Sequence, residues 1–185
     1  MIPFTLDRRT DTGVSNTTLA IWLFLASEVM LFGALFSAYA LLRASAPAWP
    51  SGGASLNVPL GAVNTLVLLA MTSLAWRART GSARRVTRAL TMSSVCGLIF
   101  LAIKSIEYRG ELHVGQVPSL NTFLAIYFTL TGLHALHVVA GLIANAWVIS
   151  GRAGEAMLLN RARLLSLYWA FVDIIWMIMF LVLYV

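Results

Sequence analysis

Apolar residues dominate five long stretches of this 185-residue chain, and the polar residues collect mainly between them. Each stretch holds about 20 residues, which lets a helix cross a hydrocarbon layer about 30 Å thick. Lipid offers no partners to backbone groups, so each stretch is predicted to be helical. The predicted spans are residues 18–42, 58–76, 89–106, 121–149 and 164–185. The pattern therefore predicts one domain, an all-α integral membrane protein with a bundle of five transmembrane helices.

The composition agrees with a membrane protein, because 59% of the residues are hydrophobic and only 11% are charged. A soluble domain has about 25% charged residues. The net charge of +6 does not indicate a nucleic-acid partner, because the arginines cluster at one end of the predicted bundle. Only Arg43 and Arg109 lie in the loops at the other end. This bias places the N-terminus in the cytoplasm and the C-terminus outside. The ten arginines of the first group are Arg8, Arg9, Arg77, Arg79, Arg84, Arg85, Arg88, Arg152, Arg161 and Arg163.

Polar side chains also lie inside the predicted spans, and Glu28 is the most informative of them. It occupies the middle of the apolar residues 21–42, where an ionised group costs about 2.5–3.5 kcal/mol on insertion scales. His134 and His137 in the fourth span and Asp173 in the fifth lie at a similar depth, counting about 1.5 Å per helical residue. These four residues are predicted to form an intramembrane polar cluster, in which a protonated Glu28 hydrogen-bonds to a histidine of the fourth helix.

Three interpretations of this cluster compete. A metal or haem site is disfavoured, because a di-iron site uses a Glu-x-x-His motif from each of two helices. A haem held by two histidines needs them on opposed helices, whereas His134 and His137 share one helix. A proton or ion relay of a small transporter is a second possibility. The third is a set of hydrogen-bonded packing groups that fix the helix register, and the residue pattern alone favours it.

Two further sets of charged residues lead to predictions. Lys104 and Glu107 are three residues apart near the end of the third span, where they either pair or form a solvated interfacial helix end. Four arginines beside the second and third spans are expected to hold anionic lipid head groups, or to act as topology signals alone. They are Arg77, Arg79, Arg84 and Arg85. The single cysteine, Cys96, excludes an internal disulfide.

Five segments together resemble the subunit III family of the haem–copper oxidases, also called the cytochrome c oxidase subunit 3 family. Residues 22–39 (WLFLASEVMLFGALFSAY) are similar to the family's SEVM helix, and residues 131–141 (TGLHALHVVAG) to its TGLHGLHV helix. Residues 168–184 (YWAFVDIIWMIMFLVLY) are similar to its closing YWHFVD helix. Residues 58–72, which contain Asn64, and the pair Glu107-Tyr108 match two further motifs. The matches cover nearly the whole chain in the family's order.

This resemblance implies a non-catalytic accessory subunit of a bacterial respiratory terminal oxidase, in the short five-helix form. The complex reduces oxygen to water and translocates protons in the cytoplasmic (inner) membrane. The resemblance implies no catalytic, haem or copper site in this chain, because the haem and copper lie in partner subunits. The expected partners are oxidase subunits I and II and membrane phospholipids, whereas cytochrome c or quinol reaches the complex through other subunits. The family's motif positions are Glu28, Asn64, Glu107, His134, His137 and Asp173, and Glu28 matches its carbodiimide-reactive glutamate.

The chain also departs from the family pattern. Ala170 stands where the family usually has the histidine of YWHFVD, so the hydrogen bonds near Asp173 are expected to differ. Two alternatives remain open. The first is a NorE-type protein associated with nitric oxide reductase, which shares several motifs. The second is a small proton-coupled transporter, which would function without an oxidase partner.

Overall fold

The described part of the chain is an all-helical bundle. A computed structural model describes residues 13–50, 56–151 and 154–185. These residues form five helices and no strand, and each helix is long and apolar enough to cross a membrane. The predicted all-α membrane fold is therefore confirmed. The helices are α1 (Asn16–Ser45), α2 (Val58–Arg77), α3 (Ala83–His113), α4 (Thr122–Ser150) and α5 (Glu155–Leu183).

Two helices begin well before their apolar spans. The α3 helix starts at Ala83 and α5 at Glu155, so each adds polar turns that carry arginines. We call the end where α2 and α4 finish and α3 and α5 begin the arginine-rich end, and the other end the opposite end. Arg8, Arg9 and Arg152 lie outside the described residues. The arginine-rich end carries Arg77, Arg79, Arg84, Arg85, Arg88, Arg161 and Arg163.

Side-chain caps define most of the helix starts. Asn57 and Asn121 accept hydrogen bonds from backbone N–H groups three residues ahead, at 3.0 and 2.8 Å. Such caps satisfy donors that have no partner within the helix. The start of α3 is different, because Ser82 makes no side-chain cap. Instead the Ala83 N–H donates to Glu155 Oε1 at 3.1 Å, which fastens α3 to the first turn of α5.

The core lies among α2, α3, α4 and α5, and α1 packs mainly against α4 and α5. Only one narrow face of α1 is buried, through Leu25, Phe32 and Tyr39, which are spaced by seven residues. The α5 helix is the most buried, and Trp169 and Trp176 fill the centre of the bundle. The remaining surfaces are largely apolar, as expected of helices that face lipid or partner subunits.

Candidate functional site

Glu28 and His137 make a direct contact between α1 and α4. His137 Nε2 lies 2.9 Å from Glu28 Oε2, and each side chain is 14% exposed. The other ring nitrogen, Nδ1, lies 2.8 Å from the Leu133 carbonyl oxygen. A carbonyl oxygen only accepts hydrogen bonds, so Nδ1 carries a proton. A hydrogen bond between Nε2 and Oε2 then needs one further proton, held by Glu28 as a neutral acid or by His137 as an imidazolium. In both cases the pair is neutral overall.

Aromatic side chains from α1 and α5 enclose this pair. The Phe32 ring lies 5.1 Å from the His137 ring, and Phe171 packs against Phe32 at 6.2 Å. The Tyr168 hydroxyl donates to the His137 carbonyl at 2.7 Å. The pair is therefore a polar contact within an apolar setting, and it joins α1 to α4.

His134 does not join that contact. Its side chain is fully buried and lies between the rings of Phe100 and Trp176, at 5.6 and 5.2 Å. Neither of its ring nitrogens has a hydrogen-bond partner among the described residues. The reason is geometric, because a spacing of three residues turns a side chain about 60° around the helix. His137 therefore faces α1, whereas His134 faces α3 and α5.

Asp173 and Asn64 occupy a third position, on the side of the bundle where α2 packs. Asp173 is 4% exposed, and its Oδ1 has no hydrogen-bond partner among the described residues. Nearby, the Thr72 hydroxyl of α2 donates to the Trp169 carbonyl of α5 at 3.3 Å. Asn64 is fully buried and donates to the Phe100 carbonyl at 3.5 Å. The structure thus corrects the predicted four-residue cluster. It brings Glu28 and His137 together and places His134 and Asp173 elsewhere, because residues at one depth can face different neighbours.

A larger buried network lies near the opposite end and involves two residues that the sequence analysis did not single out. Lys104 Nζ lies 3.1 Å from Glu107 Oε2, and it donates to the hydroxyls of Tyr127 and Tyr184 at 2.9 and 2.6 Å. Both hydroxyls donate to Glu107 Oε1, at 2.8 and 2.5 Å. The predicted pairing of Lys104 with Glu107 is confirmed. The alternative of a solvated helix end is wrong, because Lys104 and Glu107 are only 2% and 3% exposed.

An apolar cleft of about 370 Å³ opens between α1, α4 and α5. Its walls include Phe24, Ala144 and Leu165, together with Tyr168, which connects it to the Glu28–His137 pair. Arg161 also lines it, with its guanidinium 4.2 Å from the centre of the Trp147 ring. The cleft therefore combines apolar walls with an arginine and a tryptophan.

The four arginines predicted to hold lipid head groups are not equivalent. Arg77 and Arg85 line a hollow beside the turn between α2 and α3. Arg79 instead lies over the Trp76 ring, with its guanidinium carbon 3.9 Å from the ring centre, and its carbonyl accepts from Arg163 Nε at 3.3 Å. Arg84 is exposed and does not line the hollow. Among the described residues, no three His, Cys, Asp or Glu side chains converge as metal ligands.

Comparisons with known proteins match the chain to one family. Residues 7–185 match the family model described as cytochrome c oxidase subunit III. A cytochrome bo(3) ubiquinol oxidase subunit 3 from Pseudomonas aeruginosa is 33% identical, over 96% of this chain and 88% of that protein. A cytochrome c oxidase subunit 3 from Thermostichus vulcanus is 31% identical, over 90% and 86% of the two chains.

A further relative is a single chain named heme-copper oxidase subunit I+III, from Aeropyrum pernix. It is 32% identical over 87% of this chain, which spans only 22% of that protein's length. None of these three names supports the nitric oxide reductase or transporter alternatives.

Proposed function

Because the chain belongs to the cytochrome c oxidase subunit III family and is an accessory subunit of a haem–copper oxidase, we propose that it packs against subunit I and supports oxygen reduction without a redox centre of its own. The observation that carries this proposal is the family match over residues 7–185. The haem and copper would lie in partner subunits, and subunit II would complete the complex. The chain would sit in a bacterial inner membrane with its arginine-rich end in the cytoplasm.

The exposed face of α1 would be the surface that meets subunit I. This helix has the smallest buried share of the five, and Met30 and Leu41 on its outer face are 76% and 71% exposed. Between them lie the small exposed residues Gly33 and Ser37, four apart, with open space beside Gly33. Small residues allow the close helix approach that favours association in lipid. The named I+III relative supports the proposal, because in that chain the two subunits are joined.

The apolar cleft would hold a phospholipid acyl chain. Its walls are almost entirely apolar, and Arg161 with Trp147 would lie at the head-group level of the cytoplasmic leaflet. The Glu28–His137 pair beside this cleft would help to sustain proton uptake by keeping α1 in register while carrying no net charge into the lipid.

Purification of the tagged chain in mild detergent tests the oxidase role. Haem bands in a reduced-minus-oxidised spectrum and oxygen consumption by the co-eluting complex are the expected results. A colourless chain that elutes alone would contradict the proposal. Reduction of nitric oxide in place of oxygen would instead favour the NorE-type alternative.

A pair of matched variants tests the docking face. Gly33→Leu with Ser37→Leu should reduce the yield of subunit I that co-purifies with this chain. The control, Ala102→Leu with Ser105→Leu, adds similar volume to an exposed stretch of α3 and should leave that yield unchanged. An equal loss in both double variants would show that added volume anywhere on the surface is enough.

A further inference from the structure

We propose that the hollow beside the α2–α3 turn is a binding site for an anionic phospholipid. We call it the turn site, and it is separate from the apolar cleft between α1, α4 and α5. The turn site has a volume of about 390 Å³ and lies at the arginine-rich end. Its apolar part consists of Leu74 from the last turns of α2 and of Ala89 and Met92 from α3.

The polar part of the turn site is strongly basic. Arg77 from the end of α2 and Arg85 and Arg88 from the start of α3 line it, and all three are exposed. No acidic side chain lines the hollow, and none of the three arginines forms an ion pair within the described residues. Glu155, an acidic residue at the same end, already accepts the Ala83 N–H. Three positive charges therefore face the hollow without a described acidic partner.

The turn itself leaves room for one of these arginines. Gly81 has a φ of +113°, a backbone conformation that residues with a Cβ rarely adopt. A Cβ at Gly81 would also lie 2.9 Å from Arg85 Cδ, so the absence of a side chain makes room for the Arg85 alkyl chain. The glycine thus allows both the tight turn and the position of Arg85 across it.

This combination of groups fits a lipid better than a soluble anion. Guanidinium groups bind phosphate oxygens through paired hydrogen bonds, which accounts for the basic part of the site. A soluble phosphate would make no favourable contact with the apolar part, whereas an acyl chain would pack on Leu74 and Met92 along the lipid-facing surface. The neighbouring Trp76 is 49% exposed, as expected of a residue at the membrane interface. A lipid with net negative charge matches three arginines better than a zwitterionic one, which brings a cation of its own.

Native mass spectrometry of the purified, delipidated complex tests the turn site, with phosphatidylglycerol or phosphatidylcholine added back in detergent. The test variant is Arg77→Gln, Arg85→Gln and Arg88→Gln. Its matched control, Arg79→Gln, Arg84→Gln and Arg163→Gln, removes the same charge from the same end but outside the hollow. We expect the test variant to bind phosphatidylglycerol about 10- to 100-fold more weakly than the wild type, and the control to change little. An equal loss in the two variants, or equal binding of the two lipids by the wild type, would overturn the proposal.

A second variant keeps all the arginines and closes the apolar part. Ala89→Phe should weaken phosphatidylglycerol binding while the charge of the protein stays the same. Inorganic phosphate provides the remaining comparison, because it should not displace the lipid at equal concentration. Displacement by phosphate would assign the site to a soluble anion, and a cross-link from Thr80 to another subunit in the complex would assign it to a protein partner. The proposal requires only that the chain spans a membrane, so its failure would leave the oxidase role intact.

Discussion

The hydrogen bond between Glu28 and His137 predicts how substitutions at position 28 affect stability. In Glu28→Gln the amide nitrogen can still donate to His137 Nε2, because Nδ1 already donates to the Leu133 carbonyl. We expect this variant to assemble and to resist heat almost as the wild type does. Glu28→Ala leaves Nε2 without its partner and should lower the free energy of unfolding by about 1–3 kcal/mol.

Thermal denaturation of the purified complex, followed by the loss of helical circular dichroism, measures this difference. The yield of assembled complex provides an independent reading. An equally severe loss in Glu28→Gln and Glu28→Ala would contradict a neutral, protonated Glu28, because it would mean that the carboxylate charge itself is required.

The buried network around Lys104 should respond differently to single and paired substitutions. Lys104→Met leaves Glu107 buried without its cation and should cost about 3–5 kcal/mol. Combining it with Glu107→Gln removes both charges, and the amide can still accept from Tyr127 or Tyr184. We therefore expect the double variant to be more stable than Lys104→Met alone. Additive losses in a double-mutant cycle would exclude coupling between the two residues.

At the scale of the helices, α5 packs against α4 at Gly141 so tightly that no side chain fits at this position. A Cβ at this position would lie 2.5 Å from Trp169 Cη2 and 2.8 Å from Tyr168 Cε1, and both rings belong to α5. Gly141→Ala should therefore separate the helices and lower the free energy of unfolding by about 1–3 kcal/mol, as overpacking usually does.

Gly132→Ala is the matched control on the same helix. A Cβ there would approach only the Tyr108 hydroxyl, at 3.8 Å. This variant should be neutral or slightly stabilising, because alanine has the higher helix propensity. The same loss of stability in Gly132→Ala and Gly141→Ala, measured by thermal denaturation, would mean that the backbone, and not the contact with Trp169, decides the result.

The helices themselves could be predicted from the sequence, because lipid forces every apolar stretch of that length into a helix. The partners of individual polar residues could not. Lys104 and Glu107 are close in the chain, so their contact follows from helix geometry. Tyr127 and Tyr184 reach them only through the packing of α3, α4 and α5, which a single sequence does not specify. For the same reason, the prediction that His134 lies near Glu28 rested on depth in the membrane alone. In the structure the His134 side chain points to another side of α4, towards Phe100 and Trp176.

At the scale of the whole molecule, the asymmetry of arginine predicts the orientation of the bundle. Seven arginines in the described residues lie at one end, so this end should face the cytoplasm. The exposed residues Thr80, at the arginine-rich end, and Ser119, at the opposite end, allow a test. In a Cys96→Ala background, Ser119→Cys should react with a membrane-impermeant maleimide applied to spheroplasts, whereas Thr80→Cys should react only after the membrane is opened.

The reverse labelling pattern would contradict the orientation and would also move the turn site to the outer leaflet. Labelling of both positions in intact spheroplasts would indicate a mixed orientation or leaky membranes. A cytoplasmic reporter cysteine on an unrelated protein separates these two explanations, because it stays unlabelled as long as the membrane is intact. The expected labelling would mean that the two ends of the bundle differ in charge across the membrane. The seven described arginines would lie towards the cytoplasm and the Lys104 network towards the outside, with the Glu28–His137 pair between them. The arginine-rich end would then face the cytoplasmic leaflet, whose anionic lipids attract basic side chains, in agreement with the proposed turn site.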